Sequence, residues 1–105
     1  MKLKVHRVVG DSMSPTLKDG DYAVSLSTRK TRYQKDDIVI VDHQTFQTIV
    51  KRIADISDEG ALWLSGDNPK STPSEAFGWI RQTCLMGKVF WVIRRPHRKK
   101  LRVLE

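Results

Sequence analysis

Residues 37–64 read DIVIVDHQTFQTIVKRIADISDEGALWL. The runs Asp37–Val41, Thr48–Ile56 and Leu62–Leu64 are short and rich in β-branched residues, which suit a pleated strand better than a helical turn. Ser57-Asp58-Glu59-Gly60 lies between the second and third runs. Glycine permits positive φ there and aspartate bonds to nearby backbone N–H groups, so these four residues predict a hairpin turn. Outward from this stretch the same pattern recurs at Leu3–Val9, Asp21–Leu26 and Met86–Ile93, with a second turn at Lys18-Asp19-Gly20-Asp21. No apolar i, i+3, i+4, i+7 pattern lasts long enough for a substantial helix. One short helical turn is expected, with Ser14 as N-cap, Pro15 in the first helical position and Gly20 just beyond. Together with a long connection from Leu64 to Leu85, these segments predict a mainly β fold. We expect a coiled antiparallel sheet or partly open barrel, with that short turn directly after Ser12.

The chain has 105 residues, 39% of them hydrophobic and 30% charged, which suits one folded domain and argues against disorder. We expect a single β domain over residues 1–95 and a basic C-terminal tail over 96–105. The lone cysteine, Cys84, has no internal partner, and no Cys/His cluster has the spacing of a zinc site. No metal or other cofactor is therefore expected, and a reducing, cytoplasmic location is the simpler assumption. His6, His43 and His97 are scattered, in no HExxH arrangement, and are assigned no chemistry. No window approaches the ~20 apolar residues of a membrane span, and Met1 to Gly10 lacks the apolar stretch of a signal peptide.

The net charge is +7. Much of it lies in Arg94, Arg95, Arg98, Lys99, Lys100 and Arg102, with a second cluster at Arg29, Lys30, Arg32 and Lys35. These runs read either as a solvated tail and hairpin tip or as a dock for nucleic acid, a peripheral anionic membrane surface or an acidic protein. No aromatic residue interleaves with the terminal run, so base stacking is not indicated there.

Three segments carry candidate chemistry. The first, Gly10-Asp11-Ser12-Met13-Ser14-Pro15-Thr16-Leu17, places a serine beside backbone N–H groups at the start of a helical turn. Such N–H groups lack intrahelical partners and are natural donors to an oxyanion. A serine hydroxyl also needs an adjacent base before it becomes a nucleophile. The second segment, Thr48-Ile49-Val50-Lys51-Arg52-Ile53, offers one. On a strand, Ile49, Lys51 and Ile53 share one face, and Val50 and Arg52 the other. Lys51 then either snorkels to solvent or has its ammonium desolvated, and desolvation would lower its pKa toward the range of a general base. The third segment, Gly66-Asp67-Asn68-Pro69-Lys70-Ser71-Thr72, is by itself an Asx-type turn.

In this order the three segments resemble the Ser-Lys peptidase superfamily that contains type I signal peptidases and the self-cleaving SOS-response repressors. Gly10 to Leu17 is similar to the nucleophile box, Val50-Lys51-Arg52-Ile53 to the general-base box, and Gly66-Asp67-Asn68-Pro69 followed by Ser71 to the third box. Gly20-Asp21 and Asp37-Ile38-Val39 match the family's strand starts. The resemblance implies a serine endopeptidase with Ser12 as nucleophile, Lys51 as general base and Ser71 orienting the lysine. It places Gly10 and Met13 in the oxyanion-hole loop, and Arg52 near Asp67 as a structural ion pair.

Two departures narrow the expectation. Pro73-Ser74-Glu75 stands where many signal peptidases carry Asp-Ser-Arg. Gly10 stands where some carry an oxyanion-stabilising hydroxyl, which leaves backbone donors, including the Ser12 N–H, to form the hole. With only Met1 to Val9 before the first box, we expect neither a membrane anchor nor a repressor's DNA-binding domain. The substrate would then be a leader or processing site in another polypeptide. The alternative is a catalytically silent module of the same fold whose basic surface holds nucleic acid or an acidic partner.

Overall fold

A computed structural model describes residues 1–94, so the tail expected over 96–105, and Arg95 before it, lie outside the described residues. The chain forms seven strands: β1 (Lys2–Arg7), β2 (Tyr22–Ser27), β3 (Ile38–His43), β4 (Gln47–Ile56), β5 (Leu62–Ser65), β6 (Trp79–Ile80) and β7 (Leu85–Ile93). All pairings are antiparallel, in a single sheet of order β1-β2-β7-β3-β4-β5-β6. The sheet stays open, with β1 and β6 as its edges. This is the mainly β fold that the strand patterns predict.

β3 is a strand buried on both faces. Its Ile-Val-Ile-Val run is continuously apolar, the signature of a strand covered on two faces. Val39 and Val41 enter one cluster with Ile53, Leu62, Leu64 and Ile80. Ile40, pointing the other way, enters a second cluster with Val8, Met13, Leu17 and Ala23. Each such side chain contributes about 1.5–3 kcal/mol by leaving water. Extra residues in β7, Phe90 opposite Val24 and Ser25 and Met86 opposite Ile40 and Val41, and in β4, Ala54 opposite Leu64 and Trp63, bend the sheet.

Both predicted turns form. In the β4–β5 hairpin, Ser57 N–H donates to Ala61 C=O at 2.8 Å. At Lys18–Asp21, Asp21 N–H reaches Lys18 C=O at 2.9 Å, and Gly20 takes φ 91°, which a β-carbon would disfavour.

The segment after Ser12 makes one α-turn bond, Leu17 N–H to Met13 C=O at 2.9 Å, and extends no further into helix. Its next donors go elsewhere: Lys18 N–H to the Asp21 carboxylate at 3.0 Å and Gly20 N–H to Val8 C=O at 2.8 Å. The Leu64–Leu85 connection is less irregular than expected. It holds two single 3-10 turns, Ser74–Ala76 and Gln82–Cys84, and the two-residue strand β6. There Trp79 pairs with Trp63 across to β5, ring centroids 5.1 Å apart.

Candidate active site

The loop carrying Ser12 is pinned at both ends and from below. Val8 N–H donates to Asp21 C=O at 2.7 Å, tying the end of β1 to the start of β2. Met13 and Leu17, 1% and 0% exposed, plug the core beneath β2 and β3. With its neighbour Met13 turned inward, Ser12 is left half-buried at the surface of this plug. Met13 therefore serves the loop through its backbone, while its side chain is core. Gly10, in the same loop, donates its N–H to the Asp19 carboxylate at 2.8 Å. Ser14 N–H is likewise used, by Asp11 C=O at 3.0 Å.

Lys51 lies at the middle of β4, opposite Val39 of β3. It is 3% exposed, on the same face as Ile53, which is buried in the first core cluster, and Ile49, which packs against it. Its Nζ sits 4.9 Å from the centroid of the buried Phe77 ring. Of the two sequence readings of this lysine, burial agrees with desolvation rather than snorkelling. Removal from water disfavours the ammonium and holds the Lys51 pKa below the ordinary lysine range.

The third segment ties these two together. Arg52, on the other face of β4, grips Asp67 with two hydrogen bonds, Nε to Oδ1 at 2.9 Å and Nη2 to Oδ2 at 2.8 Å. Its Nη1 reaches the Asp36 carbonyl at 2.7 Å. Asp67 also accepts from the Thr16 hydroxyl at 2.5 Å, so one carboxylate joins β4 to the serine loop. The Arg52 hydrogen bonds, followed by the one from Thr16, outweigh burial and hold the Asp67 carboxyl below the usual range. The neighbouring Asn68 completes the clamp: its N–H donates to Ser12 C=O at 2.9 Å and its Nδ2 to Asp11 C=O at 2.9 Å. Gly66 is what permits this approach. A β-carbon there would lie 2.6 Å from the Ser12 carbonyl oxygen and 2.5 Å from Ser71 Oγ.

Ser12 and Lys51 line one cavity of about 360 Å³. Its walls include Val8, Ala23, Ile40 and Phe77, and besides Ser12 two hydroxyl residues, Thr48 and Thr72, are on its lining. Ser71, expected to orient the lysine, is not on that lining. The turn closed by Ser71 N–H to Asn68 C=O at 2.9 Å directs Ser71 back against Gly66, and the next residue faces the cavity instead. His6, given no chemistry in the sequence, also lines the cavity, and its Nδ1 is buried with no hydrogen-bond partner among the described residues. Strand alternation places His6 on the same side of β1 as Lys4, but no local motif marks it. Phe77 was equally invisible, since it follows a 3-10 turn that carries no periodic signal.

β5 pairs with β4 only from Arg52 onward, so the backbone of Gln47–Lys51 has no strand partner on the side away from β3 among the described residues. Ser12 comes to this half of β4 across the cavity. Among the described residues no three His, Cys, Asp or Glu side chains are grouped as metal ligands. Among the described residues, likewise, no helix is long and apolar enough to cross a membrane.

A family model described as Peptidase S24-like matches residues 2–90, a span that includes all three segments of the site. No curated protein matches the chain.

Proposed function

The chain belongs to the Peptidase S24-like family, and from that premise we propose that it is a serine endopeptidase with Ser12 as nucleophile and Lys51 as general base. The observation that carries this reading is the shared cavity, whose lining includes a half-buried serine and a buried lysine of lowered pKa among apolar walls. The neutral Lys51 amine takes the Ser12 hydroxyl proton as Oγ bonds to the scissile carbonyl carbon. The Ser12 and Met13 N–H groups hold the oxyanion, Gly10 and Ser14 being committed elsewhere. As the C–N bond breaks, the Lys51 ammonium returns the proton to the leaving amine. Water then gives a proton to Lys51, attacks the acyl ester, and frees Ser12 with its proton restored.

The substrate is a polypeptide, a leader or processing site in another protein, held extended along the unpaired edge of Gln47–Lys51. Backbone pairing there fixes the scissile bond, and the cavity receives alternate side chains. Thr72 is on the cavity lining and Ser71 is not, which supports Thr72, rather than Ser71, as the group that positions Lys51.

The test is digestion of a mixed peptide library read by mass spectrometry. Wild type should produce new termini, and Ser12→Ala and Lys51→Ala should each remove them. A wild type that cuts nothing, while folded, would overturn the reading in favour of a silent module.

A further inference from the structure

His43 ends β3, and its ring joins the β3–β4 turn to the distant connection that carries Phe77. Thr45 N–H and Phe46 N–H both donate to its Nδ1, at 3.0 and 3.2 Å. A ring nitrogen that accepts carries no proton, so the ring proton lies on Nε2, which is 3.5 Å from the Phe77 carbonyl oxygen. The ring also packs on both phenylalanines: its centroid is 5.0 Å from that of Phe46 and 5.8 Å, edge-on, from that of Phe77. Phe46 and Phe77 are themselves 4.8 Å apart and tilted, a favourable geometry for two aromatic rings. One edge of the imidazole thus shapes the hairpin turn, and the other meets the residue that follows the first 3-10 turn.

What this cluster faces gives it a role. Phe46 and Phe77 both line the cavity, whereas His43 does not. The Phe77 ring, 7% exposed, has Lys51 Nζ 4.9 Å from its centroid. Phe46, the more exposed of the two, packs against it from the hairpin turn. Lys51 is therefore kept from water beside a ring whose position depends on His43. Among the described residues no acidic side chain lines the cavity, and His6 and Arg7 of β1 are its other ionisable groups. Exclusion of water, not an opposite charge, then governs the amine, in line with burial as the cause of its lowered pKa. We propose that His43 is a positioning residue of the site: it sets the Phe46–Phe77 wall that keeps water from the Lys51 amine. For cleavage this rests on the peptidase reading; for the state of the amine it does not.

The variant that separates this role from a purely structural one is His43→Asn. An asparagine oxygen can accept the Thr45 and Phe46 N–H groups and so keep the turn, but it brings no ring to hold the two phenylalanines. Peptide cleavage at neutral pH should then fall about tenfold, while the plateau reached at alkaline pH stays within about twofold, because water at Lys51 restores its proton affinity without touching Ser12. A lowered plateau with the pH profile in place would make His43 structural only and overturn the proposal. The second readout needs no cleavage. In protein carrying isotope-labelled lysine, the ε-carbon NMR signal that Lys51→Met removes should titrate at lower pH in the wild type than in His43→Asn, and equal midpoints would overturn the proposal. A wild type that cuts no peptide counts against the peptidase reading alone, and the lysine titration then decides the role of His43. Should His43→Asn not fold, Phe46→Ala, at a more exposed position of the same wall, must raise the Lys51 midpoint in its place, and an unmoved midpoint overturns the proposal.

Discussion

At the scale of the residue, Lys51 carries opposing demands. Folding moves its amine from water to a site 3% exposed, and burial lowers its pKa. Between that lowered value and the ordinary lysine range the unfolded chain binds more protons than the folded one, so stability climbs as pH rises through this window. Below the window the full cost of burying an ammonium is present. Replacing Lys51 by Met, of similar length and apolar, should therefore raise stability near neutral pH by about 1 kcal/mol and flatten this climb. Denaturant unfolding across pH checks it, and a variant less stable than wild type at neutral pH would contradict it. Peptide cleavage by wild type should rise as pH passes through the lowered Lys51 pKa and level off above it, because only the neutral amine accepts the Ser12 proton. A neighbouring residue pair offers a sharper discrimination. Thr72 lines the cavity and Ser71 faces Gly66, so Thr72→Val should lower kcat/KM by about tenfold to a hundredfold while Ser71→Ala changes it several-fold at most. The reverse order would return the positioning role to Ser71. These adjacent hydroxyls were indistinguishable in the sequence, because their separation depends on a turn whose direction is set by Asn68 and Gly66.

At the scale of elements, the site is a junction of β4, the serine loop and the Gly66–Thr72 loop, and Arg52 is its centre. The guanidinium uses its planar fork on Asp67 and a further N–H on the Asp36 carbonyl. Lysine keeps the charge but cannot make this set of bonds. Arg52→Lys should cost about 1–2 kcal/mol, since Asp67 is largely buried and loses its bidentate partner. Because Asp67 has a lowered pKa, its contribution is present above the ordinary carboxylate range and disappears as pH falls through the lowered value. The variant should accordingly differ from wild type at neutral pH and converge with it in acid, as thermal unfolding at both pH values would reveal. Cleavage should fall as well, because Asn68 holds the Ser12 carbonyl from the same loop. The strand segments themselves were legible: β-branched runs locate β1 to β5 and β7 to within a few residues. β6 was not, since two residues cannot display an alternating pattern and its partner in β5 lies beyond an irregular loop. The three segments that meet in the candidate site were legible in their order, whereas His6 and Phe77 reach the cavity through tertiary packing that no local pattern encodes.

At the scale of the whole molecule, the order β1-β2-β7-β3-β4-β5-β6 makes the last described strand the keystone. β7 pairs Trp91 with Val24 on one side and Gly87 with Ile40 on the other, so among the described strands it is the one whose ladders join the β1-β2 hairpin to the β3–β6 meander. This insertion was beyond sequence patterning, because it depends on contacts between segments far apart in the chain. It also sets the folding problem. Loop closure across most of the chain precedes the β2–β7 ladder, which predicts slow folding, in the range of milliseconds to seconds. Without β7, the second core cluster loses Met86, Val89 and Val92, and β2 and β3 lose a neighbour on one edge. A chain ending at Thr83 should therefore lack dispersed amide resonances and cooperative unfolding. One ending at Arg94 retains every residue of both core clusters and should unfold as cooperatively as the full chain, within about 1 kcal/mol of its stability. The comparison isolates β7 from the basic run after it. A folded chain ending at Thr83 would show that the meander stands alone and that β7 closes the sheet without sustaining it.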